Sequence, residues 1–209
     1  AGVQAGPDCV SEAGVVGGSA ESGGSETTTG LLNITTGNDS LAATDGVVIV
    51  DKDGNDVDVT NGGTVNGQYG VLTVSVSNGQ YSYSYTLSGS IDHNDGVADS
   101  ESFAITIKDS DGDTAPATLA IDIADDAPVA ADDTITPNVA EDTATQINAS
   151  TLLSNDTEGA DGATVTAVSA TSANGGTVSL LNGVVTYTPA AGFAGADSFT
   201  YTITDGDDN

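Results

Sequence analysis

The sequence predicts an all-β protein of two tandem antiparallel β-sandwiches, on three observations. Short stretches alternate apolar and polar residues, Asn-Gly and Asp-Gly dipeptides separate them, and no stretch of about 11 residues carries the 3.6-residue period of an amphipathic helix. Strand-like runs recur roughly every 8–12 residues, the spacing of sandwich strands.

Residues 1–30 are rich in Gly, Ser, Thr and Glu and are expected to be partly irregular. Leu72, Val74 and Val76 then share one face of a strand, Asn78-Gly79 gives a tight turn, and Tyr81, Tyr83 and Tyr85 alternate with Ser82 and Ser84. That pattern predicts a hairpin of 71–76 against 81–87. Residues 100–107 place Phe103, Ile105 and Ile107 on one face, and 118–123 do the same with Leu119, Ile121 and Ile123. A boundary follows at Asp125-Asp126-Ala127-Pro128-Val129-Ala130-Ala131-Asp132-Asp133, dividing the chain into domains 1–127 and 128–209. In the second, strands are expected at 164–168, 177–181, 184–188 and 197–204. Turns at Asn174-Gly175-Gly176 and Asn182-Gly183 fall between them.

An internal repeat relates the halves. Residues 98–109 align with 196–205, allowing a two-residue insertion in the first. The first copy leads into another strand at 116–124, whereas the second is followed only by residues 206–209. The expectation is a second sandwich lacking its last strand, and a chain cut from a longer tandem array, because an open sheet edge is a pairing liability.

The charge narrows the function. Thirty-one acidic side chains face two lysines, Lys52 and Lys108, and one histidine, for a formal charge of -29. Nucleic acid binding requires cations against phosphates, and anionic membrane surfaces repel the same charge. No apolar run approaches the ~20 residues of a membrane-inserted helix. Residues 1–29 have neither the basic start nor the apolar core of a signal peptide. The single cysteine, Cys9, allows no internal disulfide and no thiolate metal cluster.

Val, Ile, Leu and Phe together make up about 21% of the chain, near the composition of unfolded proteins. Alternation argues for folding, and so does the kind of acid: twenty-five Asp against six Glu, concentrated at turns. Asp is both a turn residue and a ligand for hard cations, so several bound Ca²⁺ ions are expected to neutralise these turns.

Asp109-Ser110-Asp111-Gly112-Asp113 offers three carboxylates at alternating positions. It is not an EF-hand, since Ala120 stands where the bidentate Glu belongs. Asp51 to Asp58 fails too, with Asp56 at the glycine position, and reads as either a cation loop or a hairpin turn. Residues 37–41 match half of a calcium nonapeptide, and one copy cannot stack. Strand ends gather at the poles of a sandwich, so loops can pool ligands. Glu12, Asp92, Asp95 and Asp99 are candidates beside the 109–113 loop. Asp125, Asp126, Asp132 and Asp133 are candidates for a calcium-binding junction. Glu141, Asp142, Asn155, Asp156, Asp197 and Asp205 are those of the second domain. The alternative for each is a solvated turn former. Self-repulsion opposes compaction, and a cation bound to the folded state offsets it by mass action, predicting a rod with calcium and a loosened chain without it.

Several stretches are recognisable. Pro128 to Asp133, Ala140-Glu141-Asp142-Thr143, Leu152-Leu153-Ser154-Asn155-Asp156, Val185-Thr186-Tyr187-Thr188-Pro189 and Phe193 to Tyr201 resemble the cadherin-like tandem repeats of bacterial surface proteins, over 128–209. Residues 67–74, His93-Asn94-Asp95-Gly96, 109–115 and Asp125-Asp126-Ala127-Pro128 resemble a repeat of giant type I-secreted adhesins, best over 60–128. The resemblance implies Ig/cadherin-like sandwiches in a calcium-rigidified RTX-type adhesin on a Gram-negative surface. There it would lie between neighbouring adhesin repeats, with the secretion signal at the far C-terminus. Some such modules bind ligands, including peptide chain ends, with help from calcium. The absent last strand and Cys9 depart from the pattern.

Catalysis finds little support. His93 has no Ser/His/Asp spacing and no second histidine for zinc, and reads as a turn residue beside Asp92 and Asp95. No glycine loop leads into a helix. Two readings stand. One is an extracellular adhesin segment whose first domain binds a peptide or glycan, with Tyr69, Tyr81, Tyr83 and Tyr85 as its aromatic surface. The other is a purely structural calcium-stiffened spacer, with Tyr81, Tyr83 and Tyr85 the core face of a strand.

Overall fold

A computed structural model describes residues 8–93, 99–134 and 141–206. The chain divides into two compact units, 1–126 and 127–209.

The first unit is made of β1 (Asp8–Ser11), β2 (Thr27–Leu32), β3 (Val47–Val50), β4 (Asp56–Asp58), β5 (Gly63–Asn66), β6 (Gly70–Ser77), β7 (Gln80–Leu87), β8 (Asp99–Lys108) and β9 (Thr114–Ala124). They form two sheets, ordered β1-β9-β8-β3-β4 and β2-β7-β6-β5. The β6–β7 hairpin follows the sequence closely. Ser77 pairs with Gln80 across Asn78 (φ 52°) and Gly79 (φ 77°), the two left-handed positions of a turn that matches strand twist. Alternation then buries one face of each strand. Leu72 and Val74 lie inside with Tyr81, Tyr83, Tyr85 and Leu87, against Ile49, Phe103, Ile105, Ile107, Leu119 and Ile121 of the other sheet. Tyr85 and Phe103 meet edge to face, with centroids 6.0 Å apart.

That packing corrects the reading of an aromatic surface. Tyr81 is 6% exposed and Tyr83 3%. The Tyr81 hydroxyl donates to the Thr60 carbonyl at 2.5 Å, and the Tyr83 ring lies under Gly30. Tyr69 is half-buried, with its N–H donating to Glu101 Oε2 at 2.8 Å. A strand with one face inward places every second aromatic in the core, whatever its ligand-binding potential.

One pairing departs from the antiparallel expectation. β1 runs parallel to β9, with Asp8 opposite Ile121 and Ser11 opposite Ala124. The glycine-rich start therefore contributes an edge strand, and a single 3₁₀ turn at Glu12–Gly14 follows it. Exposed Cys9 sits on this strand.

The second unit contains β10 (Thr145–Asn148), α1 (Ala149–Leu152), β11 (Ala163–Val168), β12 (Thr177–Leu181), β13 (Val184–Thr188) and β14 (Tyr201–Asp205). Its sheets are β10-β13-β12 and β11-β14. Ile147, Leu152, Val178, Val185 and Tyr187 form the core. The strand expected over 197–204 is shorter and begins at Tyr201, while the Asp197 carboxylate before it accepts the N–H groups of Asn174 and Ser198. Among the described residues β14 pairs only with β11.

Candidate metal centres

The loop between β8 and β9 is shaped by Asp109. Its Oδ1 accepts the N–H of Asp113 at 2.8 Å and of Gly112 at 3.2 Å, and Gly112 sits at φ 102°, where a side chain would be strained. A second loop lies alongside. Ser110 N–H donates to the Ser40 carbonyl at 2.9 Å, and Ala42 N–H to the Lys108 carbonyl at 3.0 Å. This pairing carries Asp39 to the site. Ligand atoms of Asp39, Asp109 and Asp111 lie within 4.8 Å of one another. A hydrogen bond between Asp109 and Asp111 holds the first below the ordinary carboxylate range and pushes the second above it. Two carboxylates this close share a proton or a cation. Asp113 contributes its N–H and stands outside this group. Asp39 is not among the candidate ligands expected from sequence: its half-nonapeptide is only a weak signal, and its proximity to Asp109 and Asp111 comes from loop pairing.

The second centre gathers Glu12, His93 and Asp125, again with ligand atoms within 4.8 Å. His93 is buried, at 8% exposed, and Glu12 is fully buried. Nε2 of His93 lies 3.2 Å from Glu12 Oε1, and Nδ1 lies 2.8 Å from Asp99 Oδ2. Glu12 Oε1 also accepts the Ile91 N–H at 2.5 Å. Burial opposes charge on the imidazole, but the facing Glu12 carboxylate, with Asp125 and Asp99, raises its pKa above the ordinary value. Asp92 is exposed and outside the group. Asp95 lies outside the described residues.

Other predicted ligands are held by protein donors. Asp126 accepts Ser19 N–H at 2.7 Å and Ser19 Oγ–H at 2.5 Å. Asp51 accepts the N–H groups of Asp53 and Asn55, so residues 51–55 form the hairpin turn between β3 and β4, and Asp56–Asp58 is β4 itself.

In the second unit, Asp197 receives Ser172 Oγ–H at 2.5 Å, Tyr187 O–H at 2.7 Å, Ser198 N–H at 2.8 Å and Asn174 N–H at 2.9 Å. Partial burial would raise its pKa, yet these donors together hold it well below the carboxylate range. The Tyr201 hydroxyl lies among the Ala131 carbonyl, Asp133 Oδ2 at 2.9 Å and Asp156 at 3.2 Å. Burial, then the Asp133 carboxylate, pushes that hydroxyl's pKa upward. Asp156 also accepts Ala131 N–H at 2.7 Å, while Asn155 donates to the Asp132 carbonyl at 3.0 Å. Asp142 accepts Gly192 N–H at 3.1 Å, Glu141 is exposed, and Asp205 is buried at the end of β14. Asp132, Asp133, Ile147, Leu152, Phe199 and Tyr201 help line an open cleft of about 730 Å³. Among the described residues, no group of three His, Cys, Asp or Glu side chains placed to hold a metal forms in this unit.

Residues 125–209 match the family model described as a bacterial Ig domain. The match covers the second unit and the Asp pair before it, and it fits a repeat of a bacterial surface protein. No curated protein and no solved structure matches the chain.

Proposed function

We propose that the chain is a calcium-stabilised structural segment of an extracellular bacterial adhesin of the RTX type, placed between neighbouring repeats. The observation that supports it best is the convergence of Asp39, Asp109 and Asp111, an all-oxygen group of the kind Ca²⁺ takes, on two paired loops of a β-sandwich. The bacterial Ig match favours the surface location. The spacer reading is preferred to peptide or glycan recognition, since Tyr81 and Tyr83 are core residues. No catalytic role is proposed.

Calorimetric titration of the EDTA-stripped chain with Ca²⁺ tests this. Binding is expected, weakened at least tenfold by Asp111→Asn, with a parallel loss of calcium-induced thermal stabilisation. A chain that melts identically in EDTA and in millimolar calcium refutes the proposal.

A further inference from the structure

The centre around His93 is chemically unlike the all-oxygen group. An imidazole has two nitrogens, and in the neutral ring only one carries a proton. Here both face carboxylates: Nδ1 is 2.8 Å from Asp99, and Nε2 is 3.2 Å from Glu12. Donation from Nδ1 to Asp99 leaves the Nε2 lone pair directed at an anionic oxygen inside the protein. That contact is favourable only with a cation between the two atoms, either a proton or a metal ion.

Two features point to the metal. A proton bridges two atoms, whereas a third residue, Asp125, also brings a carboxylate oxygen within 4.8 Å of a ligand atom of Glu12 and of His93. The Asp99–His93 pair is also the arrangement that fixes the tautomer and orientation of a metal-binding histidine. The spacing agrees: two ligands about 2.0–2.1 Å from one tetrahedral ion stand roughly 3.3 Å apart. Calcium takes oxygen ligands, while imidazole with carboxylate suits zinc and its first-row neighbours.

We propose that Glu12, His93 and Asp125 bind one zinc-class divalent ion, with Asp99 positioning the imidazole. The ligands come from the turn after β1, the segment before β8 and the end of β9, so binding cross-links the N-terminal strand to the sheet that it edges. The site is independent of the proposed calcium group, which shares none of its residues.

The test uses the full chain, stripped of metal and returned to millimolar calcium, then titrated with Zn²⁺ against a competing chelator. One tight zinc per chain is expected, retained in Asp111→Asn and weakened about 10–100-fold in Asp99→Asn. Co²⁺ substitution should give the visible absorption of a nitrogen-ligated ion of low coordination number, abolished by His93→Gln. If His93→Gln does not fold, imidazole ¹⁵N NMR on the unaltered chain decides. Zinc should leave Nδ1 protonated and shift Nε2 to a metal-bound value. An imidazolium protonated on both nitrogens in excess zinc, or zinc binding unchanged in His93→Gln, overturns the proposal.

Discussion

A single carboxylate can be a turn former, a ligand or the hub of a network, and only its neighbours decide which. Asp197 precedes a strand just as the aspartates of the first domain do, yet it receives donors from Ser172, Tyr187, Asn174 and Ser198. Removing the buried Tyr187 hydroxyl with Tyr187→Phe should cost about 1 kcal/mol. In a unit this small that lowers the melting temperature by roughly 4–8 °C, measured by calorimetry. The network also has a pH signature. The folded carboxyl is held below its unfolded value, so its contribution is fully present above the unfolded pKa of about 3.9 and lost as pH falls toward the folded one. Asp197→Asn should therefore make urea stability of the second unit less sensitive to pH below about 4. An unaltered acid dependence would assign the loss to other carboxylates.

Among the elements, those governed by local rules were legible in sequence. Alternation and the Asn78-Gly79 turn specify β6 and β7 down to the residues facing inward. Elements fixed by distant contacts were not. Asp8–Ser11 has one fully buried apolar residue, Val10, and nothing in four residues announces a parallel ladder with β9 more than 100 positions away. The candidate centres divide in the same way. Asp109 and Asp111 were visible as a loop motif, whereas Asp39 and His93 join their groups through loop pairing and burial that no local spacing encodes. Glycine shows the same limit at Gly30, which β2 places over the Tyr83 ring. A Cβ there would stand 2.6 Å from the tyrosine oxygen. Gly30→Ala should destabilise the first unit by about 1–3 kcal/mol through overpacking, read as an earlier urea midpoint. Tyr83→Phe in the same background should restore part of it by removing the closest atom. No recovery would mean that β2 yields instead of the ring.

At the scale of the whole chain, 29 uncompensated charges make two kinds of cation effect expected, and they are separable. Screening acts on all exposed charges alike and follows ionic strength, with the Debye length falling from about 10 Å at 0.1 M salt to about 3 Å at 1 M. Site binding follows the particular ion and saturates. Both described groups that could hold a metal belong to the first unit, while predicted ligands of the second, such as Asp156 and Asp197, accept hydrogen bonds from the protein. In 0.15 M NaCl, adding ~2 mM CaCl₂ barely changes ionic strength, so the transition of the first unit should rise by several degrees and that of the second should stay. Equimolar MgCl₂ should do less, because Mg²⁺ demands near-ideal octahedral geometry and dehydrates reluctantly. NaCl at 1 M should instead raise both transitions. Calorimetry in these four buffers separates the effects. Equal shifts of both transitions in calcium would mean that the acidic turns act as diffuse charge, whatever their geometry.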